Sequence, residues 1–303
     1  MKTERVRVGE YQGAALARIV RSRVLIALGF GLCCAAGLLV TAGATLNQAT
    51  IDPYVYAGYI NDYSDLIKRF GPTYYSDRVA FIFPNGVFAY FFGLEGGYFA
   101  LRFVALASAV AAVFSIGVRF YGYAPAILAG VWLSFTPWLP RSLLWTYPDG
   151  IGVVYLLVGV ALLLVPSRRR LTYHALAGSA FALAVDCNLF LLLVCGLLGP
   201  GWVFFYRREG IAWLARALLA LGAGFFGIFL ALGFALYVRY GVLLELATMR
   251  EAVAELGGHG VSGYEPLSSA FWERHNFVLL IPIAFVLAAF AVVARRFPTP
   301  TVR

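Results

Sequence analysis

The 303-residue chain is 61% hydrophobic and only 13% charged, with a formal net charge of +9. Soluble domains carry about a quarter charged residues, so this composition excludes an ordinary soluble protein and reads as a polytopic membrane protein. The positive excess does not describe a nucleic-acid surface either, because the basic residues sit in short clusters at the ends of apolar runs rather than in one stripe.

Residues 1–23 form a basic amphipathic segment that ends in Arg18, Arg21 and Arg23. The first apolar run, 24–46, carries no charge and lacks the small-residue cleavage site of a secretory signal, so it is expected to be a retained span. Apolar runs and their breakers predict further spans near 100–120, 124–138, 150–166, 172–186, 188–205, 211–238 and 277–294. Three more basic clusters follow spans: Arg168 to Arg170, Arg207 with Arg208, and Arg295 with Arg296. The positive-inside rule assigns all four clusters to the cytoplasm. The expected fold is therefore all-α, with about eight transmembrane helices, both termini cytoplasmic, in the cell (inner or cytoplasmic) membrane. Residues 24–238 form one module that includes an external loop at 47–99. A second external loop covers 239–276, and 277–303 is the last helix and its cytoplasmic tail. Between Arg170 and Arg207 both flanks are basic, which requires an even number of crossings and puts Asp186 and Asn188 at an external turn.

The cysteines, Cys33, Cys34, Cys187 and Cys195, lie in or beside apolar runs, and His174, His259 and His275 are scattered. No disulfide framework, metal site or cofactor is expected from that spacing, which leaves a divalent cation open.

Chemistry is expected in the external loops. In "IDPYVYAGYINDYSDLIKRFGP", Tyr56, Tyr59, Ile60, Tyr63, Leu66, Ile67 and Phe70 recur at helical spacing, with Asn61, Asp62, Asp65, Lys68 and Arg69 opposite. This pattern predicts an interfacial amphipathic helix. The next stretch, "TYYSDRVAFIFPNGVFAYFFGLEGG", is aromatic and broken at Pro84, Asn85 and Gly86, and predicts re-entrant or interfacial structure rather than a span.

Asp52 before Pro53 has two readings, a helix N-cap with proline at N1, or a rigidly held catalytic base. Asp149 in "WTYPDGIGV" is either a first-turn residue facing the helix dipole or a second catalytic carboxylate. Arg141 and Arg102 are candidates for binding a phosphate, against a plain reading as headgroup anchors that snorkel. Tyr74, Tyr75, Asp77 and Arg78 form a further cluster, either an aromatic belt with a local ion pair or a substrate-contacting surface shared with Tyr56.

The order "DPYVYAGYI", "YYSDRVAFIFPNGVFAYFFG" and "GGYFALRFVALASAVAAVFSIG" after a first span resembles the GT-C glycosyltransferases that use polyprenyl-phosphate sugars, such as the protein mannosyltransferases and lipid A aminoarabinose transferases. The resemblance covers about residues 20–210 and rests on Asp52, Pro84, Phe92-Gly93, Arg102 and Asp149. It implies an inverting transfer from a polyprenyl-phosphate-linked sugar in the bilayer to an acceptor hydroxyl on the external face, with Asp52 as base. Arg141, then Arg102, would stabilise the departing phosphate. The alternative is a non-catalytic membrane protein on the same scaffold, a transporter of lipid-linked substrate or an assembly partner. Ionisable residues at span ends, rather than at mid-membrane in broken helices, favour the transferase.

Overall fold

The computed structural model describes residues 26–40, 52–73, 75–165, 170–189 and 191–241, and every regular element among them is helical. In chain order these are α1 (Ile26–Val40), α2 (Asp52–Phe70), α3 (Val79–Tyr121), α4 (Tyr123–Phe135), α5 (Trp138–Leu144), α6 (Pro148–Leu163), α7 (Arg170–Cys187), α8 (Leu191–Tyr206) and α9 (Ile211–Tyr240), with a 3₁₀ turn, Arg207–Glu209, before α9. Tyr74, the expected second loop from residue 242 onward, the last span at 277–294 and the basic clusters at 18–23 and 295–296 lie outside the described residues. Asp52 is described by its backbone alone. Two helices, α3 and α9, are long and apolar enough to cross a membrane, while α1, α4 and α6 are apolar but shorter.

The helices alternate in direction. Gly117 of α3 lies against Ala126 of α4, and Gly130 of α4 against Val110 of α3, which is the antiparallel order. The same holds for α6 and α7, where Gly152 meets Cys187 and Gly159 meets Phe181. One end of the bundle gathers the finish of α3, α6 and α8 with the start of α7 and α9. There Tyr206 donates to the Leu163 carbonyl at 2.6 Å, Phe120 packs on Phe205, and Trp202 Nε1 donates to His174 Nε2 at 3.2 Å. The opposite end gathers the start of α3 and α6 with the finish of α7 and α9, and α2 lies over it.

Helices α7 and α9 make the closest crossing. A Cβ on Gly178 would fall inside the Leu221 carbonyl, and one on Gly224 inside that of Ala175. Because the obstacle is backbone rather than a movable side chain, Gly178→Leu is expected to part the helices and cost about 1–3 kcal/mol, the usual range for overpacking. Thermal unfolding in detergent measures it.

From Val79 onward, the region predicted as re-entrant or interfacial is part of α3 itself. Gly93, at φ +73°, breaks the helix into two arms, a conformation glycine adopts without steric penalty. Gly97 lies against Phe88, and Asn85 hydrogen-bonds to Arg102, so the arms before and after Gly93 fold back on one another. Pro84 lies within the first arm and cannot donate to the carbonyl of Ala80. The Tyr155 hydroxyl of α6 donates to that carbonyl instead, at 3.2 Å.

Helix α2 matches its predicted faces with one exception. Tyr56, Tyr59, Tyr63 and Ile67 are buried, and Asn61, Asp62, Asp65, Lys68 and Arg69 are exposed. Phe70, assigned to the apolar face, is exposed at the helix end. The helix is interrupted at Asp62 (φ −145°, ψ 64°), whose carboxylate accepts from the Asp65 N–H at 3.2 Å and so caps the second half.

Candidate functional site

The end of the bundle under α2 holds most of the residues singled out in the sequence. Three tyrosines of α2 reach into it. Tyr56, fully buried, packs edge-on against Tyr75, Phe81 and Tyr147 with ring centroids 5.3–5.6 Å away. Tyr59 shares a hydrogen bond with Thr73, and Tyr63 donates to the Ser76 carbonyl at 2.9 Å. Burial and then the neighbouring Asp77 push the Tyr63 phenol up from its ordinary value, so it stays protonated and keeps donating. The loop between α2 and α3 is fixed by its own side chains. The Ser76 hydroxyl accepts from the Thr73 N–H and donates to the Thr73 carbonyl, both at 2.8 Å. That loop delivers Asp77, buried, and Arg78, half-buried, to the start of α3.

Arg78 is the N-cap of α3 but supplies no side-chain bond to the helix. The orphan N–H of Ala80 is satisfied from α7 instead, by the Asp186 carboxylate at 2.7 Å. Arg78 in turn donates through Nη1 to the Asp186 backbone carbonyl at 2.9 Å. Across from it, Pro148 opens α6 and Asp149 sits in the first turn. Asn188 Nδ2 donates to Asp149 Oδ1 at 2.8 Å. Burial raises the Asp149 carboxyl above its ordinary value, opposed by that hydrogen bond and then by the charge of Arg78. Asp77 and Arg78 both lie within electrostatic reach of Asp186. The charge of Arg78 thus reaches both Asp149 of α6 and Asp186 of α7, with Asp77 next to it in the chain.

Arg102 does not snorkel to an interface, because it is completely buried. Its Nε donates to the Leu143 carbonyl at 3.1 Å and its Nη1 to Asn85 Oδ1, while its guanidinium stands 3.8 Å from the Tyr98 ring centroid and 5.7 Å from that of Phe81. Tyr98 donates to the Leu144 carbonyl. Arg102 and Tyr98 therefore cap the C-terminal end of α5, where the helix dipole favours a cation. Asn85 Nδ2 donates to the Phe81 carbonyl at 2.7 Å, which turns its oxygen toward Arg102. The second guanidinium nitrogen, Nη2, is buried with no hydrogen-bond partner among the described residues, and so is Trp145 Nε1. Trp145 stacks on Tyr147 at 4.9 Å, which connects it through Tyr56 and Phe81 to Arg102.

Compared with protein-family models, with curated proteins and with solved structures, the chain gives no match.

Of the expected site residues, Tyr56, Tyr75, Asp77, Arg78, Arg102 and Asp149 meet at this end, and α2 opens there with Asp52 in its first turn. Arg141 is exposed on α5, and the cation that Asp149 faces is Arg78. Arg141→Ala is accordingly expected to change stability by less than about 0.5 kcal/mol, as for other exposed positions, and donor binding in Arg141→Lys against Arg141→Ala measures its part as a phosphate clamp. Asp186, Asn188, Asn85, Tyr98 and Tyr155 complete this end and are not among the site residues that the sequence singles out. The first two carry a signal, as polar residues flanking Cys187 at the end of an apolar run, but in the sequence it speaks to topology. Asn85, between Pro84 and Gly86, has the sequence signature of a helix breaker. Among the described residues no group of His, Cys, Asp and Glu has the arrangement of a metal site.

Proposed function

We propose that this protein is a membrane glycosyltransferase that moves a sugar from a polyprenyl-phosphate donor to an acceptor hydroxyl at the external face of the membrane. The observation that carries the reading is Asp149 within reach of the Arg78 charge at one end of the bundle, beneath a tyrosine-rich helix that starts at Asp52, with a buried Arg102 joined to that end through Phe81 and Tyr56. Both signs of charge needed for phosphate departure and hydroxyl activation are then available in a partly dry site, where they act most strongly.

In the proposed reaction the Asp52 carboxylate accepts the acceptor's hydroxyl proton as that oxygen bonds to the anomeric carbon. The bond from that carbon to the phosphate oxygen breaks, and its electron pair leaves with the lipid phosphate. Asp149 orients the acceptor or shares the proton. Arg102 and Arg78 offset the growing phosphate charge, a role in which guanidinium groups excel through paired N–H donors. Tyr75, half-buried, offers a ring surface to the sugar, backed by the fully buried Tyr56. No metal or other cofactor is assigned a step.

The membrane arrangement belongs to the same proposal: eight crossings, with the Asp149 end external and both termini cytoplasmic. What supports it is the alternation of helix ends together with the basic clusters. A cysteine introduced at Ser262 is expected to react with an impermeant maleimide from outside sealed vesicles, and one at Ser167 is not. Reaction at both positions from outside would break this topology.

The function itself is tested by incubating the purified protein with a polyprenyl-phosphate-linked radiolabelled sugar and a mixed acceptor pool. Release of free polyprenyl phosphate with label transferred supports the reading. Tight donor binding with no release would instead indicate a lipid-linked-substrate carrier.

A further inference from the structure

We propose that the turn closing α7, from Asp186 to Asn188, positions the charged groups of the site, with Asn188 as the residue that orients the Asp149 carboxylate toward Arg78. The proposal rests on the reading that Asp149 takes part in transfer. It names a positioning residue, since Asn188 acts through Asp149.

Three hydrogen bonds made within three consecutive residues carry the inference. Asp186 receives the Ala80 N–H on its carboxylate and the Arg78 guanidinium on its carbonyl, and Asn188 donates its amide to Asp149. One short turn therefore holds the start of α3 and the start of α6, with the cation on one side and the carboxylate on the other. The Asp186 carbonyl belongs to the last turn of α7, whose carbonyls lack helical partners and whose dipole favours a cation, so Arg78 is held there by charge as well as by geometry.

The turn has little freedom to drift. The Asn188 N–H donates to the Ala184 carbonyl at 3.0 Å, and the Leu191 N–H donates to the Asn188 carbonyl at 2.9 Å. Behind it Cys187 is buried, and a Cβ on Gly152 would lie 2.9 Å from the Cys187 Cβ, which brings α6 into direct contact. With its backbone tied on both sides, Asn188 is held where its amide meets Asp149.

Why an amide suits this place follows from the charges around it. The charged and titratable neighbours of Asp149 are Arg78 before α3 and Cys187 on α7, and Asp186 shares both of them, with Asp77 on its other side. A neutral donor fixes one carboxylate oxygen without neutralising the group, which a second lysine or arginine would do. The other oxygen is left for an acceptor hydroxyl. A hydrogen bond to the charged form also favours ionisation, against the burial that opposes it.

The test uses the full-length protein in lipid nanodiscs with carboxyl-¹³C aspartate. Infrared difference spectra against Asp149→Asn identify the Asp149 band, and its titration is followed directly, with no need for turnover. In Asn188→Leu the protonation midpoint of Asp149 is expected to move upward, while Asn188→Gln, which keeps an amide donor, restores most of the wild-type value. In the transfer assay Asn188→Leu should lower kcat about tenfold with little change in KM, and the acidic limb of its pH–rate profile should move with the infrared midpoint. An unmoved midpoint in Asn188→Leu overturns the proposal whatever happens to activity. If that variant fails to fold, Asn188→Ser at the same half-exposed turn gives the same reading through the weaker reach of its hydroxyl. Should the wild-type protein transfer no sugar at all, the transferase reading falls, and the titration still decides whether Asn188 holds Asp149.

Discussion

Asp52→Asn is expected to reduce sugar transfer by about a hundredfold to ten-thousandfold, the usual contribution of a positioned general base, while the unfolding transition stays where it is. The separation is possible because the two readings of this residue ask for different chemistry. Helix α2 begins at Asp52, with Pro53 next in its first turn. An asparagine caps such a start about as well as an aspartate, yet it cannot accept the proton. Full activity in Asp52→Asn at normal expression would leave Asp52 as a cap and move the base to Asp149.

Asp149→Asn is the companion measurement, and its two effects have opposite signs. The folded protein raises the Asp149 carboxyl, chiefly through burial. A raised carboxyl binds its proton more readily folded than unfolded, so this group's linkage favours the fold at low pH. That contribution is lost as pH rises through the unfolded and then the folded value. At neutral pH the ionised carboxylate is therefore a cost to folding that asparagine removes, and the variant should be as stable as wild type or slightly more so. Transfer should nevertheless fall, and in the wild type it should decline as pH drops through the raised value of Asp149. A wild-type rate that holds down to the ordinary aspartate range would exclude Asp149 as an ionised participant.

How much of this was legible in the sequence depends on whether the deciding contact is local. The inward tyrosines of α2 follow from spacing within one helix, because burial on one face repeats every three to four residues. Asp149 in a first turn follows from Pro148 beside it. The pairing of Ala80 with Asp186, and of Asp149 with Asn188, joins residues 106 and 39 apart, and no local pattern encodes them. Gly93 illustrates the middle case. A run such as "FFGLEGG" announces a break, but only the packing of Gly97 on Phe88 and of Asn85 on Arg102 makes the break a fold-back. Phe70 misled for a simpler reason: the apolar stripe continues to the last turn of α2, where the helix has already run past its support.

The plain alternative to a phosphate-binding Arg102 is a snorkelling residue, because an arginine near the end of an apolar run ordinarily reaches water. What overturns that reading is the finish of α5 folding against it, whose carbonyls take the place of water. Without an acidic partner among the described residues, the guanidinium is offset by dipoles and ring faces alone. Such a site has charge to spare for an anion.

Arg102→Met tests this with the second large effect. Methionine is long, flexible and apolar, so it fills most of the volume and relieves the desolvation cost of a buried charge, against the loss of the α5 cap. These changes oppose each other, and the ligand-free protein is expected to stay within about 2 kcal/mol of wild type. The donor's phosphate should behave differently. Polyprenyl phosphate at a hundred times its dissociation constant should stabilise the wild type by about 2.7 kcal/mol, seen as a raised Tm, and Arg102→Met should lose nearly all of that increment. Arg102→Lys should recover part of it, since a point charge remains but the paired donors of the guanidinium do not. Equal stabilisation of wild type and Arg102→Met would make Arg102 a staple for α5 and nothing more, and would pass the phosphate to Arg78.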